Sequence, residues 1–420
     1  MGGHGHLLQL SPTWTLEGLL KLSEKYGPVF MVWLGTRRVL VLCGHAAVRE
    51  ALVDNAEAFA GCGHLPTVES TFHGHGVVFA NGERWWQLRR FSLSVLRDFG
   101  MGWKSIERRI QEEVQVLLKE LRDTREKPFD PTYLLSCAVS NIICSIVFGN
   151  RFDYRDSEFL ELLRLMNESF REISTPWAQV YDMPETLMQH MPGPHRRIPV
   201  MLGRMRSFIA RRVRDNAASL QPGAPRDFID CFLQHMEKLN PSSEFTLENL
   251  ELTTLNLFFA GTETVSSTLR YGFLMLMKHP HVQEKVHEEI DQVIGRDRAP
   301  TLEDRGRMPY TDADTDVYPL LSSVLHDPSI FKHPNAFDPT NFLDESGRSK
   351  HNDAFVPFSS GKQLCLGEGL ARMELFLFLC TILQNLRLQP LQPPEPLSLE
   401  PLVFGFTKTP PVYQLCMVPR

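Results

Sequence analysis

The chain is predicted to be an α+β protein, mainly α, on three observations. Long stretches carry apolar residues at helical spacing, two β-rich runs lie near the N-terminus, and a β-rich stretch with turns, "PLVFGFTKTPPVYQLCMVPR", closes the chain. Small sheets segregated at the ends of a helical body define that class. With 420 residues, 43% hydrophobic and 22% charged, the chain can bury a large core. Length alone allows about two or three domains, yet no Gly/Ser tract, charge run or fixed-period repeat divides it. A net charge of −6 argues against nucleic acid as the main partner. The 8 cysteines contain no C-x-x-C pair and no zinc-like spacing, so they read as reduced thiols of an intracellular protein. The start, "MGGHGHLLQLSPTW", lacks the basic-then-apolar layout of a signal peptide. Apolar runs such as "LFLFLC" from Leu375 are too short to span a bilayer.

The elements follow in order. "PVFMVWLGTRRVLVLCG" predicts a hairpin of Val29 to Leu34 and Val39 to Cys43 around a short Gly-containing turn. "GHAAVREALVDNAEAF" and "SIERRIQEEVQVLLKELRDT" show the helical period, and "SCAVSNIICSIVFG" reads as a buried helix with Cys137 and Cys144 on one face. Proline and glycine at "MPGPHRR" and "QPGAPRD" mark loops between helices. After Pro319 the chain is irregular, with prolines every few residues up to a cysteine loop.

Two stretches carry chemistry. In "PFSSGKQLCLGEGLARMELFLF", Cys365 sits between Gly361 and Gly367 in a polar loop that opens into an apolar helix. Glycines let backbone approach something bulky, and a helix N-terminus lowers a thiol's pKa, as a soft metal ligand requires. A buried free cysteine is the alternative. The second stretch runs from Thr246, a plausible N-cap, to Lys278 without proline. Its centre, "AGTETVSST" from Ala260 to Thr268, is a poor helix-forming patch. Hydroxyls there can bond back to carbonyls four residues earlier and open the ladder. Gly261 thins the helix for a flat ligand, and Glu263 beside Thr264 suits a proton relay. A long core helix with a tolerated polar kink is the alternative.

Together these two motifs, with "NGERWWQLRRFSL" and "FFAGTETVSSTLRYGFLMLMKHP", resemble the cytochrome P-450 family, in particular its vertebrate microsomal family 2 group. The similarity runs from about Leu16 to Arg420. The resemblance implies a single P-450 domain over 1–420, with a long central helix over haem b and small peripheral sheets. It implies Cys365 as the thiolate ligand of the haem iron, packed by Phe358, with Gly361 and Gly367 letting loop and porphyrin meet. Ala260 and Gly261 would flank the oxygen side, Thr264 and Glu263 would organise proton delivery, and Trp85 and Arg89 would hold a haem propionate. The implied activity is monooxygenation of a lipophilic small molecule, such as a xenobiotic, fatty acid or steroid. Electrons would come from NADPH through a separate reductase, because no G-x-G-x-x-G fingerprint is present, with cytochrome b5 as a second donor. The implied location is the cytoplasmic face of the endoplasmic reticulum membrane. Around Val68 to Val77, near Met166 to Met201 and at Phe404 to Thr407, residues would line the substrate pocket.

The sequence also departs from the family pattern. The helix carrying E-x-x-R is expected between the central helix and Cys365, but "PYTDADTDVYPLL" jumps from Ala313 to Asp316, as if a block were deleted. The pairs Glu161/Arg164, Glu168/Arg171 and Glu345/Arg348 have that spacing in other places. Asn341, Gln363 and Cys62 stand where the family usually has cationic side chains, and the family's N-terminal anchor is not seen. These departures carry a second expectation, a chain that keeps the fold but holds haem poorly and turns over weakly or not at all.

Overall fold

A computed structural model describes residues 16–34, 37–63, 65–100, 103–175, 193, 196–238, 243–313, 330, 333, 337–346, 348, 350, 352–393, 397–404 and 408–420. The fold class is as predicted, mainly helical with small antiparallel sheets near the two ends of the chain. The Ala313–Asp316 junction falls largely outside the described residues, as do parts of the Met166–Met201 and Phe404–Thr407 regions.

β1 (Val29–Leu34) and β2 (Arg37–Leu42) form the expected hairpin, in register from Val29↔Leu42 to Leu34↔Arg37. Alternation sends Phe30 and Val32 inward, while Val29, Met31 and Trp33 are exposed on the opposite face. Next, the predicted single helix after Gly44 divides. His45–Arg49 is α-helical, and Glu50–Asp54 continues as a π-helical turn. At the other end, β3 (Leu386–Pro390) pairs antiparallel with β6 (Leu415–Pro419), and β4 (Val403–Phe404) with β5 (Lys408–Thr409).

Between the sheets lies a helical body with one large core. Trp103–Asp123 buries Ile106, Ile110, Val114, Leu117 and Leu121, a helical stripe that its sequence dictates. Thr132–Val147 is buried almost all round, with Cys137 and Cys144 fully enclosed, as its mostly apolar, breaker-free sequence predicts. Against it packs the central helix, Leu247–Lys278, 32 residues long. Thr246 caps it by accepting the Asn249 N–H at 3.1 Å. The next helix, Pro280–Val293, begins two residues after Lys278. The helix after Cys365, Glu368–Asn385, packs against both the central helix and Trp103–Asp123.

The expected opening of the central helix does not occur. Thr264 and Thr268 hydroxyls do donate to the carbonyls of Ala260 (2.7 Å) and Thr264 (2.8 Å), but the segment remains α-helical throughout. Back-bonding at two positions is compatible with an intact ladder because each carbonyl has two lone pairs.

One buried group sits uneasily in this core. Glu374, on Glu368–Asn385, is 1% exposed and its Oε2 has no hydrogen-bond partner. Burial raises its carboxyl well above the usual range. A carboxyl with a raised folded pKa is neutral in the fold, and it weakens the fold as pH climbs past its unfolded value of about 4.3. Stability of the native sequence should therefore fall from about pH 5 upward by as much as ~1.4 kcal/mol per pH unit relative to Glu374→Gln. Thermal melts of the two proteins across pH 5–8 check this; parallel curves would contradict it.

Candidate active site

The cysteine loop is built on backbone contacts. Cys365 N–H donates to the Phe358 carbonyl at 3.0 Å, and a short 3-10 turn, Gly361–Gln363, precedes the cysteine. Gly361 has φ +70°, and a Cβ added there would lie 1.7 Å from the Leu52 carbonyl oxygen. Its glycine is thus explained by the π-helical turn Glu50–Asp54, against which the loop seats. Gly367 differs, since a Cβ there would meet nothing within 4 Å. Of the two flanking glycines, only Gly367 borders open space. Phe358 supports the loop through its carbonyl, while its ring carries the Arg372 guanidinium at 4.8 Å.

The Cys365 sulfur is not the low-pKa thiol expected. Enough protein surrounds it for burial to push the thiol up, although the residue keeps an exposed side. Backbone N–H groups of Gly367 and Glu368 and the Arg89 charge pull the other way, and the Glu368 carboxylate adds to the rise. Helix-terminus stabilisation is present but outweighed by desolvation. A thiol in this setting needs a cation at the sulfur to hold it ionised.

Arg89 lies within electrostatic reach of Cys365 and donates through Nη2 to the Leu364 carbonyl. Burial lowers its pKa, and the cysteine opposes that. Its guanidinium lies 5.5 Å from the ring centroid of buried Trp85, one turn earlier on the helix Gly82–Gly100. Arg89, stacked on Trp85, is thereby held beside the cysteine loop.

The central helix contributes an uncovered face. Beyond its first residue, Leu247, only Ala260 and Thr264 along its 32 residues are exposed. Positions four apart share one helix face, so the opening is local and single-sided. Gly261 does not belong to that face in the way expected: its missing Cβ points at Ile143, with Cγ1 at 3.1 Å, so it permits close packing on Thr132–Val147. Glu263 is likewise turned inward. It is 4% exposed, and its Oε1 accepts from Ser267 Oγ at 2.7 Å. Burial raises its pKa, opposed by Ser267 and the nearby charge of Arg270. No hydrogen bond joins Glu263 to Thr264 among the described residues. Ser267 and Arg270 are the partners of Glu263 that sequence reasoning missed. Helical spacing from Glu263, four and seven residues on, could have marked them.

Three positions where cations were expected make neutral hydrogen bonds. Gln363 Nε2 donates to the Ala60 carbonyl at 2.6 Å, and Asn341 exchanges two bonds with the His333 backbone at 2.9 and 3.1 Å. At Cys62, the backbone N–H donates to Asn81 Oδ1 at 2.6 Å. Glu161 and Arg164 form an ion pair on a helix surface, remote from any buried network.

These residues fit haem. A thiol with an exposed side, an open position at Gly367, a cationic donor on a tryptophan, and a bare small-residue face on a core helix suit a flat, largely apolar, anionic-edged group bound through sulfur.

A family model described as Cytochrome P450 matches residues 4–313 and 312–417. The chain is similar to cytochrome P450 2G1 of Oryctolagus cuniculus, at 56% identity over 99% of this chain and 91% of the relative. Cytochrome P450 2G1 of Rattus norvegicus and cytochrome P450 2A6 of Homo sapiens are 53% and 51% identical over the same shares. The chain belongs to the cytochrome P450 family, whose members are haem-dependent monooxygenases. Each of these alignments spans 451 positions, more than the 420 residues of this chain, so the relatives carry residues without a counterpart here.

The Gly361 contact is testable by itself. Gly361→Ala should destabilise the protein by about 2 kcal/mol or more, because neither a left-handed backbone nor the Leu52 carbonyl leaves room for a methyl group. Urea unfolding would measure it. A loss below ~0.5 kcal/mol would mean that the loop does not seat on Leu52.

Proposed function

We propose that this chain inserts one oxygen atom of O2 into a lipophilic small molecule, with haem b held through Cys365 and electrons from NADPH through a separate reductase. The observation that carries this reading is the exposed Ala260–Thr264 face in an otherwise buried core helix. Trp85 and Arg89 would hold a propionate of the group, and Ala260 would run along its oxygen side, while Gly261 seats the helix on Ile143. Haem, when bound, would supply the oxygen-activating metal, and Cys365 would supply the sulfur ligand, a type that favours O–O cleavage.

The chain's own part is to manage protons. The Thr264 hydroxyl donates to Ala260 and keeps its acceptor lone pairs free for water at the open face. Glu263, held toward its protonated form by burial, is a proton reserve in the preceding residue. Its carboxyl must leave Ser267 and turn to reach that face, so delivery is gated by a side-chain rotation.

Partner readings follow from surfaces. Arg89, Arg90, Arg97, Lys362 and Trp86 line an open groove of about 500 Å³, suited to an acidic reductase or cytochrome b5 face. The exposed Val29, Met31, Trp33 and Leu40 on the hairpin suit contact with the endoplasmic reticulum membrane. No helix among the described residues is long and apolar enough to cross a membrane.

A second reading, a single P450 domain that keeps the fold but not turnover, draws on one observation. The family match breaks at residues 312–313, and the relatives carry extra positions. We place the missing block, with its E-x-x-R helix, at the Ala313–Asp316 junction.

One experiment tests the thiolate ligation on which the first reading rests. The purified chain, loaded with haem, reduced and exposed to carbon monoxide, should show the strongly red-shifted Soret band of thiolate ligation, and Cys365→Ala should lose it. An unshifted band in the native sequence, or a shifted one in Cys365→Ala, would sink the assignment.

A further inference from the structure

A closed hydrogen-bonded ring ties three segments together just before the open face. Arg84, adjacent to Trp85, donates through Nη1 to the Gly74 carbonyl at 3.1 Å and through Nε to Glu244 Oε2 at 2.6 Å. Asn249, on the first turns of the central helix, donates through Nδ2 to the Glu244 carbonyl at 2.7 Å. Its Oδ1 accepts the Gly76 N–H at 3.1 Å, which closes the circuit back to Gly74 through the chain. Asn249 is 1% exposed, so both of its bonds are made in the interior, where a lost partner is costly.

What the ring holds is the segment Gly74–Phe79. Gly76 has φ +78°, and a Cβ there would approach Asn256 Oδ1 to 2.5 Å, so this segment rests directly on the central helix. The Val78 N–H donates to that same Oδ1 at 3.1 Å, and the Val78 side chain remains exposed. Asn256 lies one helical turn before Ala260. The segment therefore walls the end of the open face.

We propose that Arg84, Glu244 and Asn249 act as one latch of positioning residues that keeps the Gly74–Phe79 wall closed on the central helix, and so fixes the shape offered to a lipophilic ligand at the Ala260–Thr264 face. This rests on the reading of that face as a ligand site. Arg84 anchors the latch in the helix that bears Trp85 and Arg89, so wall and haem edge share one support. The links act as one cooperative unit, so the loss of any one loosens the rest and a second loss adds little.

Amide hydrogen exchange at Val78 tests this, because its own bond to Asn256 is untouched by the variants. Arg84→Met and Asn249→Ala should each speed Val78 exchange about tenfold, close to the worth of one ordinary hydrogen bond. The double variant should match the singles, and Arg84→Lys, which keeps a cationic donor, should retain most of the protection. Exchange in the core helix Thr132–Val147 serves as the reference for global opening. Unchanged Val78 exchange, an equal acceleration in the reference helix, or multiplied effects in the double variant would each overturn the latch. Exchange is read without added haem, so a failure to bind haem would count against the proposed function and not against the latch.

Discussion

A 32-residue helix through the core that, beyond its first residue, is bare only at Ala260 and Thr264 imposes the constraint on which the rest depends. Packed interiors do not leave such a face empty without loss of contact energy. The cysteine loop meets the same constraint from another side. Its sulfur is surrounded enough to resist ionisation, yet keeps an exposed side, and Gly367 opens onto unfilled space. A flat group bound through sulfur would resolve both, since it would cover apolar surface and supply the positive centre that the thiol lacks.

The supporting shell is neutral where cations were expected, but it is not broken. The cysteine loop is pinned by the Lys362–Glu57 ion pair, and Gln363, Asn341 and the Cys62 backbone each make neutral hydrogen bonds. Such bonds fix geometry but attract an anionic edge less strongly than a guanidinium does. Arg89 is then the principal cation toward that edge among the described residues near Cys365, and its bond to the Leu364 carbonyl fastens it to the loop.

Much of this was legible from sequence. The Thr246 cap, the unbroken run to Lys278 and the hairpin all follow from local rules, and the structure reproduces them. Glycine placement drew attention to Cys365, while its role and those of Trp85 and Arg89 came from the resemblance to the family. Local rules failed where a partner comes from far along the chain. Gly361 was read as making room for a ligand, but it answers to the Leu52 carbonyl, and Gly261 answers to Ile143. The pairing of Glu263 with Thr264 was inferred from adjacency, yet neighbouring helix positions face about 100° apart, and Glu263 turned inward to Ser267. The thiol's pKa failed for the same reason, since the helix terminus is visible in sequence and the burial that outweighs it is not.

Titration of the purified chain with haem, followed together by the Soret band and by thermal melting, tests the central claim most directly. If the bare Ala260–Thr264 face and the cysteine loop form one haem site, binding should saturate at one equivalent and the melting point should climb with free haem beyond saturation. Filling the face with Thr264→Trp should remove both effects. Haem uptake without any rise in melting temperature, or uptake undiminished in Thr264→Trp, would contradict the account.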